Sequence, residues 1–234
     1  MRVTKAWYEN SYATLGLATQ RRYPNEELLR FMGGYYFGID RAQRRQVAIL
    51  EVGCGSGANL WMIAREGFDA YGMDLSEEAL KLCRSMLEDW QVEANLLPGD
   101  MSALPYADAQ FDAVVDVFSS YCLNEAQFAV YLDEVSRVLK QGGRYFSYTP
   151  SKNSDAFTNF APAQKIDSST LDGIRRETSP YHGNNYPFRF AAADDYAVAL
   201  ADRGLVVSSN ERIGRTYRGG REYFEFVSIA AQKQ

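Results

Sequence analysis

Ile49-Leu50-Glu51-Val52-Gly53-Cys54-Gly55-Ser56-Gly57 is the stretch on which the architecture turns. Three glycines at alternate positions follow an apolar run, Val47–Val52, interrupted only by Glu51 near its end. Such a run reads as a buried strand, and glycines beyond it let the backbone take positive φ and pass close to a ligand. Ala58–Glu66 then reads as a helix, with Leu60, Trp61, Ile63 and Ala64 on its inner side. A second strand is expected over Asp69–Met73. Ser76 follows as an N-cap, with Glu77 and Glu78 where negative charge suits a helix dipole. That helix carries Leu80, Leu82, Cys83, Met86 and Leu87. Ala94–Leu97 and Phe111–Phe118 read as strands three and four. Phe128, Tyr131, Leu132, Val135, Val138 and Leu139 recur at helical spacing, predicting a helix over Glu125–Lys140 that stops at Gly142-Gly143. Arg144–Thr149 is the fifth strand. Continuous apolar strands alternating with helices predict a doubly wound, mostly parallel α/β sheet covered on both faces.

Two regions fall outside this alternation. Residues 1–46 are rich in aromatics and arginine, and Pro24 opens an expected helix at Asn25–Met32. Residues 150–190 have weak periodicity but many aromatics, Phe157, Phe160, Tyr181, Tyr186, Phe188 and Phe190 among them, which argues against disorder. A helix (Ala191–Arg203) and two strands (Leu205–Asn210 and Tyr223–Ala230) complete the chain. The expected plan is one domain: an N-terminal helical cap (1–46), a core (47–149), a lid (150–190) and a C-terminal unit (191–234).

The 234 residues carry 25 Lys+Arg against 30 Asp+Glu, a formal net charge of −5. A polyanion binder draws most of its affinity from a basic surplus, so nucleic acid is disfavoured as a partner. Cys54, Cys83 and Cys122 fit no zinc spacing, and no metal is expected. The start of the chain lacks the pattern of a secretion signal, and no apolar run reaches the length of a membrane span. A cytoplasmic location without a membrane partner is expected, as a monomer or homodimer.

The glycine loop alone is ambiguous. Gly53-x-Gly55-x-x-Ala58 also satisfies a dinucleotide fingerprint, so it indicates only a nucleotide-like ligand. Glu51, two residues before Gly53, has no task in a dinucleotide loop. Asp74, with Leu75 after it, ends the second strand 23 residues beyond Glu51, where a carboxylate can accept bonds from two ribose hydroxyls. Gly99-Asp100-Met101 places another acid after strand three, suited to an adenine amino group.

With these features from about Val47 to Thr149, the chain resembles the class I S-adenosylmethionine-dependent methyltransferases. The resemblance implies a Rossmann-like sheet of seven strands with an antiparallel last strand at Tyr223–Ala230. It implies that Glu51, Gly53, Gly55 and Gly57 lie along the methionine part of the cofactor. It implies further that Asp74 and Leu75 hold the ribose, Asp100 and Met101 the adenine, and that Val117 at the end of strand four lines the methionine end. Arg22 and Tyr23 are expected to reach the cofactor carboxylate, as N-terminal residues do in similar enzymes.

Methyl transfer from a sulfonium asks mainly for alignment, and an oxygen or ammonium nucleophile also needs a base. His182, the one histidine, and Tyr121, just past strand four, are the catalytic candidates. Strand four lacks Asn-Pro-Pro-Tyr, which makes amide and exocyclic nitrogens poorer acceptors. A lid over a small-molecule acceptor is expected from residues 150–190 and the N-terminal helix. Arg175, Arg176, Arg189, Arg215 and Arg218 are available to an anionic acceptor such as a sugar nucleotide or a carboxylate. Three rival readings stand beside this one: an NAD(P)-dependent oxidoreductase, a non-catalytic binder of the same cofactor and an RNA methyltransferase.

Overall fold

The computed structural model describes residues 2–234. Its helices are α1 (Arg2–Leu15), α2 (Glu26–Tyr35), α3 (Leu60–Arg65), α4 (Glu77–Asp89), α5 (Glu125–Val138), α6 (Asp155–Thr158) and α7 (Ala193–Ala201). Its strands are β1 (Ala48–Val52), β2 (Asp69–Asp74), β3 (Asn95–Pro98), β4 (Phe111–Val117), β5 (Leu139–Pro150), β6 (Thr170–Leu171), β7 (Phe188–Arg189), β8 (Leu205–Tyr217) and β9 (Glu222–Lys233). Among the described residues, seven strands form one sheet in the order β3-β2-β1-β4-β5-β9-β8, and β6 pairs with β7 apart from it. β9 runs antiparallel to both of its neighbours, while β1 to β5 are parallel. The expected sheet, with its reversed last strand, is borne out.

The local reasons are those of the sequence. All five residues of β1 are buried, as befits a strand covered on both faces. Ser76 caps α4 by accepting the Ala79 N–H at 3.1 Å, and Asn124 and Gln127 form a reciprocal capping box on α5. Asn25 caps α2 through the N–H groups of Glu27 and Leu28. That cap sets Leu28, Phe31 and Met32 into the core, where each large apolar side chain contributes about 1.5–3 kcal/mol.

Some elements differ from expectation in their bounds. Within the expected helical cap, α1 adds a helix to the one assigned at Asn25–Met32; it is tied down by Glu9, whose carboxylate accepts the Glu77 and Glu78 N–H groups at the positive end of α4. α5 stops at Val138, because Leu139 turns extended and starts β5, so Gly142-Gly143 lies inside a strand irregularity and not at a helix end. Any side chain at Gly143 would meet the Lys140 carbonyl at 2.8 Å. β8 and β9 outrun their expected ends and form a long hairpin whose turn places Arg218, Gly219 and Gly220 at positive φ. Residues 150–190, the expected lid, pack into the body of the protein. Leu171, Phe188 and Phe190 are fully buried in the main core, the Ala191 N–H donates to the Pro150 carbonyl at the end of β5, and the Ala191 carbonyl accepts the Lys152 N–H.

The chain leaves β1 for β2 and β3 on one side, then returns to lay β4 on the other. A switch point therefore opens between the carboxyl ends of β1 and β4, the position at which open α/β sheets bind ligands.

Candidate active site

The glycine loop leaves β1 at that switch point. Gly53 takes φ +63 while packed against Ser119, so that an added Cβ would lie 2.3 Å from the Ser119 Cβ. Gly57, at φ +87, lets the loop settle on Cys83 of α4. Neither position has room for a side chain. The Gly55 N–H donates to Asp74 Oδ2 at 2.9 Å, and the Ser76 N–H to Asp74 Oδ1 at 2.9 Å. Asp74 is thus held across the loop from the tip of β2. Burial raises its carboxyl above the usual range, against the pull of those N–H groups.

Two adjoining cavities meet at this loop. The larger, about 610 Å³, takes Glu51, Gly53, Gly55 and Val117 on one side. Much of its remaining lining is aromatic: Phe118, Tyr121, Tyr148, Tyr181, Tyr186 and Phe226. The smaller, about 70 Å³, is lined by Asp74, Leu75 and Met101, with Thr4, Tyr8 and Tyr12 of α1 packed over them. Gly53, Tyr8, Tyr12 and Phe118 border both.

Glu51 is 1% exposed. Its Oε1 accepts the Asn59 Nδ2–H at 2.6 Å, whereas Oε2 is buried with no partner. Burial pushes this carboxyl up to about 8, with the Asn59 bond acting the other way. An orphaned carboxylate oxygen on a cavity wall is a place for a cationic group, and the ammonium of S-adenosylmethionine fits it.

Most of the expected cofactor residues come together here; others do not. Gly57 serves packing and does not border either cavity. The Asp100 carboxylate is turned onto its own loop, where Oδ1 accepts from Ser102 N–H at 2.9 Å and Ser102 Oγ–H at 2.6 Å; Gly99 and Met101 border the smaller cavity in its place. Arg22 and Tyr23 border neither cavity. The Arg22 carbonyl accepts the Trp61 Nε1–H at 3.0 Å, and Tyr23 sits 66% exposed against the edges of Trp61 and Trp90. Those two indoles stack with centroids 3.8 Å apart. Gln20 and Arg21 border the larger cavity instead, two positions earlier than the expected pair. Without a period in that segment, nothing in the sequence distinguishes Arg21 from Arg22.

The catalytic candidates separate. His182 is exposed, its N–H donates to the Ser179 carbonyl, and it borders neither cavity. His182→Ala should therefore leave turnover within about twofold, the behaviour of a surface substitution; a rate loss beyond tenfold with normal stability would restore its candidacy. Tyr121 does border the larger cavity and is 2% exposed. Its hydroxyl bonds to Tyr186 at 2.6 Å and to Tyr8, and Tyr8 reaches Tyr186 at 3.0 Å. Burial holds the Tyr121 phenol well above its ordinary range, so it keeps its proton at neutral pH. The trio closes the cavity floor and can orient an acceptor. Proton abstraction at neutral pH is beyond it. Tyr8 and Tyr186 were missed because they lie 178 positions apart.

Residues 49–143 match the family described as "Methyltransferase domain". With this sheet, switch point and loop, the matched domain is that of a class I S-adenosylmethionine-dependent methyltransferase. The Mycolicibacterium smegmatis fatty-acid O-methyltransferase is 40% identical over 106 residues, which cover 44% of this chain and 37% of that protein. The Mycobacterium tuberculosis phthiotriol/phenolphthiotriol dimycocerosates methyltransferase is 36% identical over 180 residues, covering 74% of this chain and 65% of that protein. The matches thus span from about a third to about two thirds of these relatives. Among solved structures, the Burkholderia thailandensis 1,6-didemethyltoxoflavin N1-methyltransferase with S-adenosylhomocysteine has a TM-score of 0.59 at 14% identity, covering 97% of this chain and 90% of its own. The cyclase SpnF has a TM-score of 0.65 at 16% identity, covering 98% and 94%. At such identities the likeness shows the fold alone.

Among the described residues no helix is long and apolar enough to cross a membrane, and no group of three or more His, Cys, Asp and Glu side chains could hold a metal ion.

Proposed function

We propose that this chain binds S-adenosylmethionine in the two adjoining cavities and methylates a carboxylate oxygen of a small acid with an apolar or aryl body. One observation carries the choice of acceptor: no His lines the two cavities, and the carboxylates bordering them are Glu26, Glu51 and Asp74. Glu51 and Asp74 are engaged at the glycine loop by Asn59 and by the Gly55 and Ser76 N–H groups, and Glu26 is exposed at the start of α2. An acceptor that must lose a proton would find no buried base free to take it. A carboxylate is already ionised and needs none.

Bound S-adenosylmethionine supplies a sulfonium methyl that asks for in-line approach and little else. Glu51 Oε2 holds the ammonium, the Gly53–Gly55 backbone lies along the methionine chain, and Asp74 holds the ribose. Arg21 offers the cofactor carboxylate a charge partner in place of Arg22. Admitting the adenosyl group requires α1 to draw back from Asp74, because about 70 Å³ falls far below the roughly 300 Å³ of a working pocket. The aromatic wall takes the acceptor's body, and Arg215, which forms no salt bridge among the described residues, draws its charged end. The acceptor oxygen bonds to the methyl carbon, the carbon–sulfur bond breaks onto sulfur, and no proton moves. Names of relatives point the same way, since one acts on fatty acids.

The same rings and arginine suit a sugar nucleotide, with its base on the wall and its phosphates at Arg215. Labelled methyl transfer distinguishes the two. Carboxyl methyl esters release volatile label in mild alkali, whereas methylated sugars keep it. Alkali-labile product from medium-chain or aryl acids is the expected result; label fixed only in sugar nucleotides overturns the proposal. Arg215→Leu should raise KM for the acid about tenfold, the worth of one charge-assisted bond, with a much smaller change in kcat. A fall in kcat at constant KM would place Arg215 elsewhere in the reaction.

A further inference from the structure

A third cavity, about 210 Å³, lies between α5, α7 and β7 and shares no lining residue with the other two. Arg189 of β7 lines it and is 4% exposed. The Nε and Nη2 atoms of this guanidinium are buried with no hydrogen-bond partner, and no carboxylate pairs with it among the described residues. Its support is aromatic: the guanidinium carbon stands 3.4 Å from the Phe128 centroid and 5.8 Å from that of Tyr196. A ring face attracts a cation but accepts no N–H bond in the plane of the fork, so the cost of burying this charge is offset only in part.

The neighbouring buried carboxylate cannot complete it. Asp116 is taken up by the hydroxyls of Ser119, Ser120, Tyr145 and Ser147. The other groups on the cavity are consistent with a missing anion. Ala192, at the N-cap of the nine-residue α7, lines the cavity and supplies no side-chain cap to the first-turn N–H groups. Lys152 also lines the cavity, 4.0 Å from Asp195. Arg203 is occupied by Asp133 and two carbonyls. The two acids on the lining are Asp195, which is exposed, and Glu125, which accepts from Ser168.

We propose that this cavity is a second ligand site, which receives the carboxylate or phosphate group of a small metabolite on the Arg189 fork and the open first turn of α7. A planar guanidinium with two unfilled donors matches either oxyanion in a two-point bond. Phe128, Leu132 and Phe190 leave an apolar surround for a short body behind the charged group.

The test is the unfolding midpoint of the full chain, saturated with S-adenosylhomocysteine, in rising acetate, benzoate or inorganic phosphate at ionic strength matched with chloride. An Arg215→Leu background removes anion binding at the acceptor wall. One oxyanion series should raise the midpoint by a few degrees at up to about 100 mM, growing with the logarithm of concentration. Arg189→Met should erase that rise while being no less stable than the parent in chloride, since it removes an uncompensated buried charge. Should the Met variant not fold, Arg189→Lys keeps the charge without the fork and should lose at least half of the response. A response to carboxylates alone or to phosphate alone names the group bound. Equal shifts in parent and both variants, or no shift beyond chloride in the parent, overturn the proposal.

Discussion

Glu51→Gln should weaken S-adenosylhomocysteine binding by about 10- to 100-fold while making the ligand-free protein more stable. The first half follows from the orphaned Oε2. A charge-assisted bond to an ammonium is worth about 1.5–3 kcal/mol, and the amide nitrogen that can replace that oxygen would repel the cation. The Asn59 contact at Oε1 survives the change, so the loop keeps its shape. The second half is a matter of linkage. In the folded chain this carboxyl is raised from the ordinary 4.5 to about 8, chiefly by burial. Between those values the folded state keeps the proton that the unfolded state gives up. The contribution of this group to stability therefore falls as pH rises through that window and is gone above about 8. Glutamine does not titrate, so the gain of the variant should widen from pH 6 to pH 9. Calorimetry of the parent at pH 7, in buffers of different ionisation enthalpy, should also show a proton released on binding, because an ammonium at Oε2 favours the carboxylate. Unchanged affinity in the variant, or binding without proton release, would remove Glu51 from the cofactor site.

Gly53→Ala carries the second large effect. A methyl group here lies 2.3 Å from Ser119 Cβ and 2.9 Å from its Oγ, on a backbone at φ +63 where side chains are strained in any case. Ser119 cannot step aside freely: its one hydroxyl proton is shared between the Val52 carbonyl at 2.7 Å and the Asp116 carboxylate at 2.6 Å, tying β1 to β4. Relief would open the switch point itself. A loss of about 3–4 kcal/mol, or roughly 10 °C in Tm, is expected, together with cofactor affinity below detection. Gly220→Ala is the control. It also has positive φ, at +85, but meets nothing within 4 Å, so it should cost about 1 kcal/mol and spare binding. Should both variants bind alike, the tight approach of the loop to Ser119 has no part in holding the ligand.

Much of this was legible in the chain because its signals are local. The apolar run before Gly53, the Ser76 cap and the helical spacing from Phe128 to Val138 each fix an element within one window. The edge of the sheet was not legible in the same way. Beyond Asn210, β8 carries Glu211, Arg212, Arg215 and Thr216, polar residues that an outermost strand with one partner tolerates and that hide its period. α1 was legible only as part of a helical cap, without bounds, because Trp7, Tyr8 and Tyr12 face a cavity and other tyrosines, and no apolar core stripe marks that face. Arg22 and Asp100 show the limit of spacing alone. The first lost its place to Arg21 by one position of backbone direction; the second lost it to a hydroxyl two residues away. A hydroxyl cluster such as Tyr8, Tyr121 and Tyr186 is assembled by the fold and leaves no trace in sequence order.

The stacked indoles give this protein a built-in optical gauge. Trp61 stands on the helix that the glycine loop enters, Trp90 closes α4, and the Arg22 carbonyl joins the pair to the loop that leads from α1 to α2. Parallel rings at such close range couple their electronic transitions, producing a paired band in the near-ultraviolet dichroism that fades once one ring tilts. Withdrawal of α1 to let the nucleoside in would pull on that carbonyl. Occupancy could then be followed by the protein's own absorbance, with no label attached.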